Sequence, residues 1–145
     1  MRLAVAAHEG QAARDGGTQL GHVERVVEQL RQQLKGSPLR GRAVTAAFLH
    51  DTVEANAGVT LDSLRSQGFD DGMIDVVDLL TRPKHVPYLA YMQRLVDAPG
   101  EAGELARIVK TADLADNART SELRGEEVHL ARYRAAQAML ERREA

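Results

Sequence analysis

Apolar residues recur at three- and four-residue spacing along almost the whole chain, the period of helices that each bury one face. Between Gly21 and Lys35 the stripe is Val23, Val26, Val27, Leu30 and Leu34, which predicts an amphipathic helix. A short helix over about 2–9 is expected before it, separated by the glycine-rich loop "GQAARDGGTQLG". "GSPLRG" breaks the pattern, and a third helix is expected from about Leu39 to Val53, followed by a turn at "ANAG". Thr60 reads as the N-cap of "TLDSLRSQG", with Gly68 as its C-terminal stop. "DDGMIDVVDLLTR" is again amphipathic, and Pro83 and Pro87 punctuate the link to "YLAYMQRLVDA". Pro99 and Gly100 mark a turn before a helix from about Ala102 to Ser121, and a last helix covers about Glu126 to Glu144. No alternating run exceeds four residues, and no repeat or low-complexity tract interrupts the pattern. The expected fold is all-α, a single domain over residues 1–145 with about six to eight helices.

Composition supports helices over sheets. Apolar residues make up 43% of the 145 residues but aromatics only 3%, so the core must be built from Leu, Val, Ala and a few Met. A net charge of -2 gives no sign of nucleic-acid or membrane-surface binding, although 19 basic residues leave room for a local phosphate site. The absence of cysteine excludes disulfides and thiolate metal sites, so any metal must be held by His, Asp or Glu. The apolar run in "MRLAVAAHEG" is too short for a signal peptide, and no stretch approaches the ~20 apolar residues of a membrane span. The expected location is cytoplasmic.

Candidate chemistry lies at the end of "AVTAAFLHDTVEANAG", where a largely apolar helix finishes in His50 and Asp51 with Glu54 one turn later. A carboxylate at the end of a buried helix is costly unless it is paired or bound to a metal. "RIVKTADLADNARTS" offers partners: Asp113, with Lys110 one turn before it and Asn117 one turn after. His22 opens the second predicted helix. Read alone, an HD pair is ordinary capping chemistry, and Lys110, Asp113 and Asn117 are a helix-stabilising pair with a solvated polar face. His8, His85 and His129 read as structural or surface residues. Two His and two Asp on three helices would suit a divalent ion, with positions left for water and substrate.

The ordered set resembles the HD-domain metal-dependent phosphohydrolases, and more narrowly the small hydrolase domain of the RelA/SpoT group, which removes pyrophosphate from guanosine polyphosphate alarmones. "AHEGQAARDGGTQLGHVERV" is similar to that group's "AHxGQ…G…H" opening and "AAFLHDTVE" to its "AALLHDxVE". "GVTLDSL", "DVVDLLTR", "IVKTADLADN" and the closing "RYRAAQAML" follow in the family's order over nearly the whole chain. The resemblance implies that His22, His50, Asp51 and Asp113 ligate a divalent metal, usually manganese. It also implies that Glu54 positions or deprotonates the attacking water, and that Arg14, Lys110 and Asn117 contact the substrate. The implied partner is a small nucleotide, with guanosine 3',5'-bis(diphosphate) as the leading substrate.

The sequence also departs from the group. Ala55 stands where the alarmone hydrolases carry an aspartate needed for activity, and Ala13 where they carry a basic residue beside Arg14. "TQLGHV" replaces "PYxxHP", and "RPKHVPYLAYMQRL" is closer to stand-alone small HD proteins of unassigned substrate. Two alternatives follow: a regulatory or binding module with weakened catalysis, and a nucleotide monophosphatase. The short first helix and Ala-rich last helix leave room for a homodimer.

Overall fold

A computed structural model describes residues 18–56 and 58–144. They form seven helices: α1 Thr18–Gln33, α2 Arg40–Ala55, α3 Leu61–Ser66, α4 Asp71–Leu80, α5 Tyr88–Asp97, α6 Gly100–Arg124 and α7 Glu127–Glu144. No strand occurs among the described residues, so the fold is an all-α bundle. The helix expected over about 2–9, with His8, Ala13 and Arg14, lies outside the described residues.

The 25-residue α6 is the axis of the bundle and packs against α1, α2, α4, α5 and α7. Its sequence explains this placement. Leu105, Val109 and Leu114 are buried on the apolar side, while Gly103, Ala106, Ala112 and Ala118 keep the remaining surface thin enough for neighbours to approach. α2 uses the same device, with Ala43, Ala46 and Ala47 buried against the valine stripe of α1. One core cluster joins Val23, Val27 and Leu30 of α1 to Leu49, Val76, Leu80, Leu95 and Leu140.

Gly103 marks the tightest approach. A Cβ built there would lie 2.1 Å from the carbonyl oxygen of Ala98, which is backbone and cannot swing aside. Gly103→Ala is therefore expected to destabilise the fold by about 1–3 kcal/mol, the usual cost of overpacking, read as a lowered urea midpoint with unchanged m-value.

Most boundaries follow local signals. Thr60 caps α3 through a reciprocal capping box with Ser63, and Gly68 ends that segment at φ 98°. The Asp70 side chain accepts from the Met73 N–H at the start of α4. Two expectations are corrected. α1 begins at Thr18, so His22 lies within the helix instead of opening it; Gly21 is tolerated because its position needs no left-handed backbone. α6 extends past Ser121 to Arg124, and Gly125 at φ 70° supplies the left-handed stop. No described helix is long and apolar enough to cross a membrane.

Candidate metal centre and its cleft

Helical spacing places Lys110, Asp113, Asp116 and Asn117 on one flank of α6, three or four residues apart. Asp113 is the hub. Its Oδ1 accepts from His22 Nε2 at 2.8 Å, and its Oδ2 from Lys110 Nζ at 3.1 Å and Asn117 Nδ2 at 3.5 Å. Lys110 and Asp113 are only 6% and 8% exposed, so they are a buried ion pair and not a solvated polar face. Burial would raise the Asp113 carboxyl, but Lys110 and His22 together hold it far below the usual carboxylate range. Burial would likewise lower Lys110, yet Asp113 keeps it firmly protonated.

His22 is gripped from both sides. Nδ1 donates to Asp116 Oδ2 at 2.6 Å while Nε2 donates to Asp113, and carboxylates can only accept. Against the desolvation that would lower it, these two bonds raise His22 to about 10. Asp116 is fixed in turn by Arg25, whose Nε and Nη2 donate at 2.8 and 3.1 Å, and by Arg119 at 3.3 Å. Sequence reasoning passed over Asp116 and Arg25. Asp116 carried a signal, lying one turn after Asp113, but the Arg25 contact spans 91 residues and had none.

The end of α2 brings the other ring. His50 is buried and its Nε2 donates to Glu54 Oε1 at 2.9 Å, the i,i+4 contact expected from the sequence. Burial would lower His50, but Glu54 more than offsets it. Glu54 is held below the usual carboxylate range by His50, despite the desolvation that opposes this, and its side chain is 47% exposed. Asp51 is 5% exposed, and desolvation pushes its carboxyl up to about 7.

His22, His50, Asp51 and Asp113 line one small cavity, walled on its apolar side by Val23, Val26, Ala47 and Val109. Its volume is about 10 Å³, room for one water-sized occupant. The same four residues form the floor of a neighbouring open cleft of about 240 Å³, where Glu54, Lys110 and Asn117 also face in. The cleft wall adds Arg82, Tyr88, Tyr91, Arg132 and Tyr133, none of which sequence reasoning had singled out. His85 and His129 are exposed and do not line it, although the His129 ring stacks on Tyr133 of the cleft wall at 6.4 Å. Arg14 and the side chain of Ala55 lie outside the described residues.

As the side chains stand, no group of three or more His, Asp or Glu among the described residues is arranged to hold an ion. Each imidazole turns Nε2 to a carboxylate, the pairing that buried rings and carboxylates make with one another. The donor set still fits a divalent ion by its chemistry. Two imidazoles and two carboxylates from three helices share one niche, and Asp116 fixes His22 from outside, as an outer carboxylate does for a ligating histidine. Asp116→Asn is expected to weaken divalent-ion binding about 10- to 100-fold, measured by titration with Mn²⁺, while leaving the helical fold intact.

Comparison of the chain with family models, with curated proteins and with solved structures gave no match.

Proposed function

We propose that the chain is a divalent-metal-dependent phosphohydrolase or pyrophosphohydrolase acting on a nucleotide, with pyrophosphate removal from a guanosine polyphosphate as the leading substrate. The observation that carries this reading is the convergence of His22, His50, Asp51 and Asp113, from three helices, on one ion-sized niche at the floor of a polar cleft. Those four residues would hold the ion, with Mn²⁺ as the first candidate. When bound, such an ion lowers the pKa of a water toward ~7 and offsets charge on a phosphoryl group.

The chain's own residues supply the rest. Glu54 faces the cleft and its side chain is exposed enough to meet water, so with His50 turned to the ion it would act as the proton acceptor for the attacking water. Lys110 keeps a fixed positive charge at the cleft wall, and Asn117 lies one turn beyond Asp113 to contact the ribose or a phosphate oxygen.

Ala55 favours a second reading, a regulatory or binding module that keeps the ion site with weakened catalysis. Ala55→Asp separates the two: a large gain in turnover identifies a decayed enzyme, and no gain points to a different substrate or role. The primary test is a hydrolysis assay on Mn²⁺-loaded protein with guanosine tetraphosphate and common nucleotides, resolving pyrophosphate from phosphate. Pyrophosphate release, abolished by Asp51→Ala, is the expected result. Phosphate release alone identifies a monophosphatase, and turnover unaffected by Asp51→Ala overturns the assignment.

A further inference from the structure

Around Tyr88 the cleft wall gathers three cations. The guanidinium carbons of Arg132 and Arg82 lie 5.2 and 5.8 Å from the ring centroid, and Lys110 Nζ lies at 5.9 Å. Lys110 is committed to Asp113. The two arginines have no carboxylate partner among the described residues; Arg82 donates only to the Val86 carbonyl, at 3.1 Å. Arg25, Arg42, Arg65, Arg94, Arg119 and Arg134 each meet an Asp or Glu; what sets Arg82 and Arg132 apart from the other arginines without such a partner is that both line the cleft beside one tyrosine ring. Cations grouped around one ring repel each other, and the ring face offsets only part of that repulsion.

Tyr88 adds a second, independent observation. Its hydroxyl oxygen is buried and has no hydrogen-bond partner among the described residues, although the ring lines the cleft. A hydroxyl taken from water without a partner is costly, so a group that accepts its proton stabilises the site. One multiply charged oxyanion meets both needs, accepting from Tyr88 and from two planar guanidinium forks.

We propose that Arg82, Arg132 and Tyr88 form an anion subsite for a phosphate group remote from the one that reacts. The ligand class is a nucleotide bearing a diphosphate or phosphates at two positions, in preference to a monophosphate. This rests on the phosphohydrolase reading for its biological meaning but not for its test. The arginines come from the segment after α4 and from α7, 50 residues apart in the chain, so the fold alone makes them neighbours. Both are exposed, so their charge can be removed without opening the core.

The test uses full-length protein treated with chelator and titrated calorimetrically with inorganic pyrophosphate and with inorganic phosphate. Pyrophosphate is expected to bind more tightly than phosphate. Arg82→Met and Arg132→Met should each weaken it about tenfold and the double variant should abolish it, with unchanged circular dichroism and melting temperature. Arg134→Met, on the same helix as Arg132 but paired with Glu122, should leave binding unchanged. Equal affinity for the two anions, or pyrophosphate binding that survives the double variant, overturns the subsite. So does wild-type protein that binds neither. In the Mn²⁺-loaded enzyme, the double variant should raise KM for a diphosphate-bearing nucleotide with little change in kcat. Pyrophosphate binding through the two arginines, in a protein whose Mn²⁺-loaded form hydrolyses no diphosphate-bearing nucleotide, overturns the hydrolase reading and leaves the subsite standing.

Discussion

Asp113→Ala is expected to lower stability by about 3–5 kcal/mol and to abolish metal-dependent hydrolysis together with ion binding. The size follows from what the carboxylate holds. Its two oxygens accept from His22, Lys110 and Asn117, and Lys110 is itself 6% exposed. Truncation leaves that ammonium buried without its partner, the situation in which a broken buried pair costs most. Removing both charges tests the cause: Lys110→Met combined with Asp113→Leu should recover the part of the lost stability due to the stranded ammonium, because two apolar groups replace the pair, while His22 still lacks its Asp113 partner. It should recover none of the activity. Urea unfolding and a turnover assay on the same preparations check both halves. A double variant as unstable as Asp113→Ala would show that the cost comes from elsewhere.

Asp51→Asn is expected to separate stability from function. Hydrolysis should fall by about three orders of magnitude or more, since a carboxylate donor to the ion is lost and an amide oxygen does not replace its charge. Metal-free protein should instead become more stable. Burial raises the folded-state carboxyl of Asp51 from 3.8 to about 7. Between those values the unfolded chain carries the charge and the folded chain carries the proton, so folding takes up a proton and stability falls as pH rises. The penalty is absent below pH 4, grows to about pH 7 and is constant above it. Asp51→Asn removes it, so the gain over wild type should follow the same curve and reach on the order of 1–4 kcal/mol. Thermal melts of both proteins in chelator at pH 4, 5.5, 7 and 8 check this, and a gain independent of pH would contradict it. On the proposed function, a carboxyl that is costly in the fold alone and needed for the reaction is the usual trade between stability and activity at a site.

The helices were legible because their information is local. The stripe Val23, Val26, Val27 and Leu30 states its own period, and Thr60 and Gly68 carry their caps in their side chain or backbone freedom. The His50–Glu54 contact was legible for the same reason, since i,i+4 spacing fixes it within one helix. Gly21 misled at the start of α1, because glycine permits a break without requiring one. Long-range partners left no such trace. Arg25 reaches Asp116 across 91 residues, and Arg82 and Arg132 meet only at Tyr88, so nothing in their own neighbourhoods announces the contact. The burial of Lys110 and Asp113 was undecidable locally as well: a Lys-Asp pair three residues apart looks the same on a solvated face or beside a core.

The most direct measurement is diffraction from crystals of the full chain grown with Mn²⁺, with anomalous data collected at the manganese edge. The expected result is one anomalous peak per chain in the niche, with nitrogen of His22 and His50 and oxygen of Asp51 and Asp113 at about 2.0–2.2 Å, as for such donors on a divalent transition ion. A well-ordered niche with His22 still bonded to both Asp113 and Asp116, and no peak there at saturating Mn²⁺, would contradict the assignment.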